Sequence, residues 1–373
     1  MTSFGGLALA GPASSLEKMA DPMTFLAYVG CRTTRARNAR GDGIAVYRVT
    51  DGAWKQVQLV RDLLNPSYLA FDRDRHFLYT VHGDASEVSA FRIEKDGTLV
   101  FLNKVSCQGK NPVHLTPDPT NRFIVVANHL TLDGFKSNVA VLPRQADGSL
   151  APVSDLVVLE GQIGPHRVEQ PFAKPHQVEY DPAGRFIAVP DKGCDLVRMF
   201  ALDDAGKLKP VGTPVVARPG AGPRHIAFTP NGHFAYVVNE LDATITAHSY
   251  DAASGTLKPF QRLPSTPDSF TGYSTGAEIA VVGRFVYVSN RGDDSLGAFA
   301  IQADGRLSPV GWVPSGGKTP RFFAGSPGGH MLYAANEDGD SITAFALDPV
   351  SGRLTAKGVA AQTGSPTCIV FSA

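Results

Sequence analysis

The stretch PRHIAFTPNGHFAYVVNE, residues Pro223 to Glu240, consists of two short apolar-rich runs joined by T-P-N-G. Short apolar-rich runs bounded by turn residues read as strands. The Pro and Gly of the join supply turn geometry. The pattern recurs as PSYLAFDRDRHFLYTVHG from Pro66, PVHLTPDPTNRFIVVANH from Pro112 and PHQVEYDPAGRFIAVPDK from Pro175. It returns as GAEIAVVGRFVYVSNR from Gly276 and PRFFAGSPGGHMLYAANE from Pro320. Successive starts lie 46, 63, 48, 53 and 44 residues apart. A further 46 residues on, PTCIVFSA leads to Ala373, and the half it lacks stands near the other end as FLAYVGC from Phe25.

Each unit continues with a third run (VSAFRI, ITAHSY, ITAFAL), a turn such as EKDGTL or QADGSL, and a fourth run. Four short strands per unit of about 40–50 residues is the pattern of a propeller blade. The fold predicted is therefore all-β: a seven-bladed β-propeller with four antiparallel strands per blade. Its N- and C-terminal segments should pair within one blade, because that removes the open edges. Residues 23–373 are expected to form this single domain. Residues 1–22 are expected to be a poorly ordered extension without the positive start of a secretory signal.

Composition narrows the function classes. Of 373 residues, 35 are basic and 35 acidic, and only 19% are charged. A balanced charge without a basic run excludes nucleic acid or an anionic membrane as the main partner. No apolar run reaches the length of a membrane helix. Cys31, Cys107, Cys194 and Cys368 are scattered without a CxxC pair, and read as reduced packing thiols in a cytoplasmic protein.

The repeat register also locates chemistry. Alternating strand direction brings the start of each innermost strand and the end of the next strand to one channel mouth. One ring there is Thr367, Ser67, Val113, His176, Arg224, Ala277 and Arg321; the other is Cys31, Gly83, His129, Lys192, Glu240, Arg291 and Glu337. Charge gathers on four neighbouring blades. A satisfied ion-pair network linking blades is the plain alternative. Cations outnumber carboxylates, however, and guanidinium forks match carboxylate or phosphate oxygens. Asn239 and Asn290, beside Glu240, could lend oxygens to a Ca²⁺ ion, but adjacent arginines oppose it, so no metal is expected. His225 and His114 follow the first ring by one residue and are expected to point away from the channel as packing or blade-linking groups.

GPRH (Gly222–His225) followed by VVNEL (Val237–Leu241) resembles the lactonase family of seven-bladed propellers. That family holds bacterial 6-phosphogluconolactonases and carboxy-cis,cis-muconate lactonising enzymes. PDKGCD, FTGYSTGAEI, VYVSNRGDDSL and GGKTPRFF extend the likeness over the chain from Met23. The resemblance implies catalytic roles for His176, Arg224, Glu240 and Arg291, all members of the two rings. Lys174, Lys192 and Tyr273 depart from the usual family pattern by adding positive or removing negative charge.

These readings give metal-independent lactone hydrolysis, 6-phosphogluconolactonase-like, with no cofactor. Arg224 and Arg291 would hold the substrate anion and the developing oxyanion. His176 or Glu240 would be the general base on water. Lys192, Arg321, Glu337, His129 and Lys174 are expected to bind substrate. The expected partner is a small anionic lactone or carboxylate; the oligomeric state is left open, a monomer being compatible with the reading. A carboxymuconate cycloisomerase using the same residues is the second reading, and a propeller binding scaffold the third.

Overall fold

The structure, a computed structural model, describes residues 24–372. The expected extension over 1–22 lies outside the described residues. Seven blades of antiparallel strands form a ring, as the repeat predicts. Blade 5 shows the plan: Pro223–Phe228 lines the channel, and Phe234–Asn239, Thr244–Asp251 and Thr256–Pro264 follow outward. Blade 1 closes the ring, with Pro366–Phe371 pairing with Thr24–Cys31 in the register Ala27↔Phe371 and Tyr28↔Val370. Only blade 4 departs, its outer strand split into Leu208–Pro210 and Val215–Val216. Pro210 and Pro214 offer no N–H to a continuous ladder there.

The second strand of each blade is buried on both faces, because neighbouring blades cover it on either side. Phe285–Arg291, for example, is buried throughout except at Arg291. Seven apolar clusters fill the spaces between blades. A tyrosine of this strand, in FLAY of blade 1 and in FLY, FAY and FVY of blades 2, 5 and 6, ties one blade to the next. The hydroxyls of Tyr28, Tyr79, Tyr236 and Tyr287 donate to the carbonyls of Gly97, Gly148, Gly305 and Gly352 at 2.8–3.0 Å. Those glycines occupy the outer hairpin turns of the following blade. Gly305 has φ +81°, and a Cβ there would lie 2.3 Å from the Phe234 ring. Glycine is thus required both for the turn and for the aromatic packed on it.

Every innermost strand carries one extra residue near its start. In blade 5, Pro223 pairs with Asn239 but His225 pairs with Val238. The same shift occurs at Pro66/Tyr68, Pro112/His114 and Pro320/Phe322. Blade 6 has it between Gly276 and Ile279. A bulge breaks strict alternation, so two consecutive side chains can face the same side.

Candidate active site

The channel mouth holds the charged rings where the repeat register places them. Arg224 opens the innermost strand of blade 5, and Glu240 follows its second strand. Arg224 Nε donates to Glu240 Oε2 at 3.1 Å, and its Nη1 donates to the Ala277 carbonyl. Lys192 Nζ, from blade 4, meets Glu240 Oε1 at 2.9 Å, and Arg291 Nη2, from blade 6, lies 3.4 Å from Oε2. One buried carboxylate therefore gathers three cations from three blades. Burial works to raise the Glu240 pKa, but Lys192, Arg291 and Arg224 outweigh it and hold the carboxyl well below the usual range.

Arg321 and Glu337 of blade 7 pair at 3.2 Å, with Arg32 at 3.8 Å from the same carboxylate. His176 sits on the bridge Pro175↔Asp191 of blade 4, its ring 5.2 Å from that of His129. Burial, Arg224 and the neighbouring histidines hold His176 well below its ordinary pKa, so the ring is neutral at pH 7. Lys174 reaches Glu169 at 3.9 Å, and Lys192 reaches the same oxygen at 3.0 Å.

The register missed four contributors. Arg32 follows the ring position Cys31 by one residue. Glu169 lies between blades 3 and 4, in the longest interval between repeats, and that length was its only sequence signal. His225 and Glu278 follow ring positions on their innermost strands. The expectation that His225 points away from the channel is wrong. The bulge turns it into the same cavity as His176, Arg224, Glu278, Arg32 and Arg321. His225 Nε2 lies 3.2 Å from His176 Nδ1. His114 also turns inward against the expectation, its ring 5.7 Å from that of His225 two blades away, while it packs on Tyr68 with ring centroids 3.9 Å apart and accepts from the Val178 N–H.

Asn239 donates to Thr244 and Thr246, and Asn290 is bonded to Ser265 and Ser295. These are turn and loop ties at strand ends. Tyr273 is 71% exposed, outside the charged cluster.

Six cationic groups (Arg32, Lys174, Lys192, Arg224, Arg291, Arg321) meet three carboxylates (Glu169, Glu240, Glu337) at the mouth. Several buried donors have no hydrogen-bond partner among the described residues: Nε and Nη1 of Arg32, Nε of Arg291, and Nε2 of His129. Unpaired buried donors are costly, and their usual explanation is a ligand or water. The cavity beside His176 measures about 20 Å³, room for about one water molecule. Two larger grooves on the outer wall, about 320 and 440 Å³, are lined chiefly by apolar side chains.

Fold and site together define a seven-bladed propeller with a cation-rich channel mouth and a neutral histidine in the cavity beside it. The family described as "Lactonase, 7-bladed beta-propeller" matches residues 26–371, and the chain belongs to it. The chain is 35% identical over 357 residues to a 6-phosphogluconolactonase of Bacillus subtilis, covering 93% of this chain and 98% of that protein. It is 31% identical over 318 residues to a 6-phosphogluconolactonase of Serratia proteamaculans, covering 84% and 90%. Among solved structures, a periplasmic gluconolactonase of Pseudomonas aeruginosa superposes with TM-score 0.85 at 30% identity, covering 94% of this chain and 99% of that one. A structure described as a putative 6-phosphogluconolactonase of Bacteroides fragilis gives TM-score 0.84 at 28% identity, covering 97% and 100%.

Proposed function

We propose that this protein hydrolyses a sugar lactone, in the manner of a 6-phosphogluconolactonase, and does so at the charged mouth. The observation that carries the site is that Arg32, Arg224 and Arg321 line one cavity with the neutral His176, and that two buried nitrogens of Arg32 have no partner among the described residues. An anionic substrate would pair with the cations at the mouth, which would set the lactone carbonyl toward Arg224 and Arg291, while the small cavity beside His176 has room for the attacking water. As water adds, negative charge develops on the carbonyl oxygen and the guanidinium groups stabilise it. His176 removes the proton from water. Glu240 is unsuited to that task, because three cations stabilise its ionised form and make it a poor proton acceptor. Its role is to hold Lys192, Arg224 and Arg291 in place. Collapse of the tetrahedral adduct breaks the ring C–O bond, and the departing oxygen takes a proton to become the hydroxyl of the open acid.

The cycloisomerase reading drew on the added charge of Lys174 and Lys192. Glu169 meets both lysines, so the surplus available for a tri-anionic muconate is smaller than the sequence implied. Four buried, unpaired cysteines support a reducing compartment, the cytoplasm. No helix among the described residues is long and apolar enough to cross a membrane.

The test is proton release in a pH-stat from glucono-lactone with and without a 6-phosphate, beside ultraviolet loss from carboxymuconate. Turnover of a gluconolactone is expected, with Arg224→Met lowering it about 10³-fold while the circular dichroism spectrum is kept. No release above the buffer blank from either lactone would overturn the assignment.

A further inference from the structure

We propose that Glu278 and His225 form a proton relay behind His176, carrying the proton taken from water away from the cationic mouth and returning it to the leaving oxygen. The proposal deepens the lactonase reading and rests on it. Both carboxylate oxygens of Glu278 lie against His225 Nδ1, at 3.0 and 3.1 Å. His225 Nε2 stands 3.2 Å from His176 Nδ1. Three side chains from blades 6, 5 and 4 thus form one unbroken line. The remaining nitrogen of His176, Nε2, makes no hydrogen bond to the described residues and is the one available to a water. The line is held in place. Glu278 Oε1 accepts from the Ile279 N–H at 3.0 Å, and the Glu278 N–H donates to Ser289 Oγ at 3.0 Å.

The physical need for a relay lies in the surroundings of His176. A proton left there would make a buried imidazolium beside Arg224, with Lys192 also in range. That state is disfavoured both by desolvation and by like charge. Passing the proton onward removes the difficulty. Water gives its proton to His176 Nε2 while the hydroxide oxygen bonds to the lactone carbonyl carbon. His176 Nδ1–H passes to His225 Nε2, and His225 Nδ1–H passes to the Glu278 carboxylate. Both rings end neutral. The negative charge has moved from Glu278 to the substrate oxyanion, which lies among arginines. On collapse the ring C–O bond breaks, and Glu278 returns its proton along the same line to the departing oxygen. The net change is one water added and the carboxylate restored.

Glu278 is placed to hold that proton. Burial pushes its pKa up to about 8, with Arg224 pulling the other way. The groups facing it are His225 and Arg224 from blade 5, Glu179 from blade 4, Tyr68 from blade 2 and Cys368 from blade 1. Base action requires the ionised carboxylate. The rate should therefore rise with pH as Glu278 loses its proton and level off above about pH 8.

The test compares wild type, Glu278→Gln and His225→Gln on the lactone turned over fastest, with the spontaneous rate subtracted. Both variants should lose about 10²-fold in kcat, the low end of a general acid–base contribution, with KM within about twofold. The alkaline rise of kcat/KM should vanish in each. Wild-type kcat, or a reduced kcat with the alkaline rise intact, would overturn the relay. A second readout is independent of turnover and of the variants' folding. With ¹⁵N-labelled histidine in the wild-type chain, the His176 and His225 rings should exchange tautomers together between pH 6 and pH 9.5. Tautomers that stay fixed over that range would also overturn it. If no lactone is hydrolysed, the lactonase reading fails, and the tautomer titration alone decides whether the line conducts a proton.

Discussion

Lys192 Nζ stands 2.9 Å from Glu240 Oε1, joining blade 4 to blade 5 across the channel mouth. Both side chains are buried, and the same ammonium holds Glu169 of the preceding loop at 3.0 Å. Lys192→Met should leave Glu169 with Lys174 alone and Glu240 with Arg224 and Arg291. Breaking a buried pair outright costs about 3–5 kcal/mol. Because Glu240 keeps two partners, a loss of about 1–2 kcal/mol is expected in urea unfolding. The kcat/KM should fall about tenfold, mostly through KM, as a uniform binding contribution is removed. Unchanged KM would place Lys192 outside substrate binding.

His176 and Glu240 should separate in kinetics. His176→Asn should lower kcat by about 10²–10⁴-fold, the range for loss of a general base. Glu240→Gln disturbs the three cations it organises but leaves the base, so its kcat should fall by no more than about 10²-fold. A larger loss in Glu240→Gln than in His176→Asn would reverse the two roles.

The tyrosine ties between blades should differ in strength. Tyr236→Phe removes one hydroxyl from the Gly305 carbonyl, and about 1 kcal/mol should go with it. Tyr79 does more. Its hydroxyl also accepts from Arg144 Nε at 3.0 Å, and Arg144 is paired with the buried Asp72 at 3.2 Å. Tyr79→Phe strands a charged donor and should cost about 2–3 kcal/mol by urea denaturation. Equal losses would mean that Arg144 finds a substitute.

Stability should be greatest near neutral pH. Burial holds His114, His129, His176, His225, His82 and His248 below their ordinary range. As pH falls below 6.5, the unfolded chain gains protons that these rings refuse, so stability is lost toward acid. Glu240, held ionised, adds a loss of the same sign below its unfolded value near 4.5. Glu278 and Glu179 act in the opposite sense, with folded values of about 8 and about 7. What they contribute is present below 4.5 and lost as pH rises through those values. The histidines are more numerous, so the acid limb should be the steeper. Thermal melts by circular dichroism from pH 4.5 to 9 check this, and a Tm that climbs toward acid would contradict it.

The blade count, the closing of blade 1 and the two charged rings were legible in the sequence, because each depends on a repeat period and on strand direction. Pro223 and Glu240 mark the ends of one hairpin, and their equivalents mark six others. Period and direction carry an average register, and the average is what fails at the start of the innermost strands. There one extra residue breaks the alternation, which turns His225 and Glu278 into the cavity. Nothing local in PRH or GAEI announces the bulge; it arises where seven strands crowd around one axis.

Glu169 shows the same division. Its interval between repeats was visibly long, but which way that chain folds back depends on Lys174 and Lys192 waiting at the mouth. By itself the sequence determined the propeller, its closure and the sign of the charge at one end of the channel, since these follow from periodicity and residue type. Only the tertiary structure decided that Glu240 is held by three cations, and that His225 and Glu278 stand in line behind His176. Those arrangements depend on burial and on distances between blades that are remote along the chain.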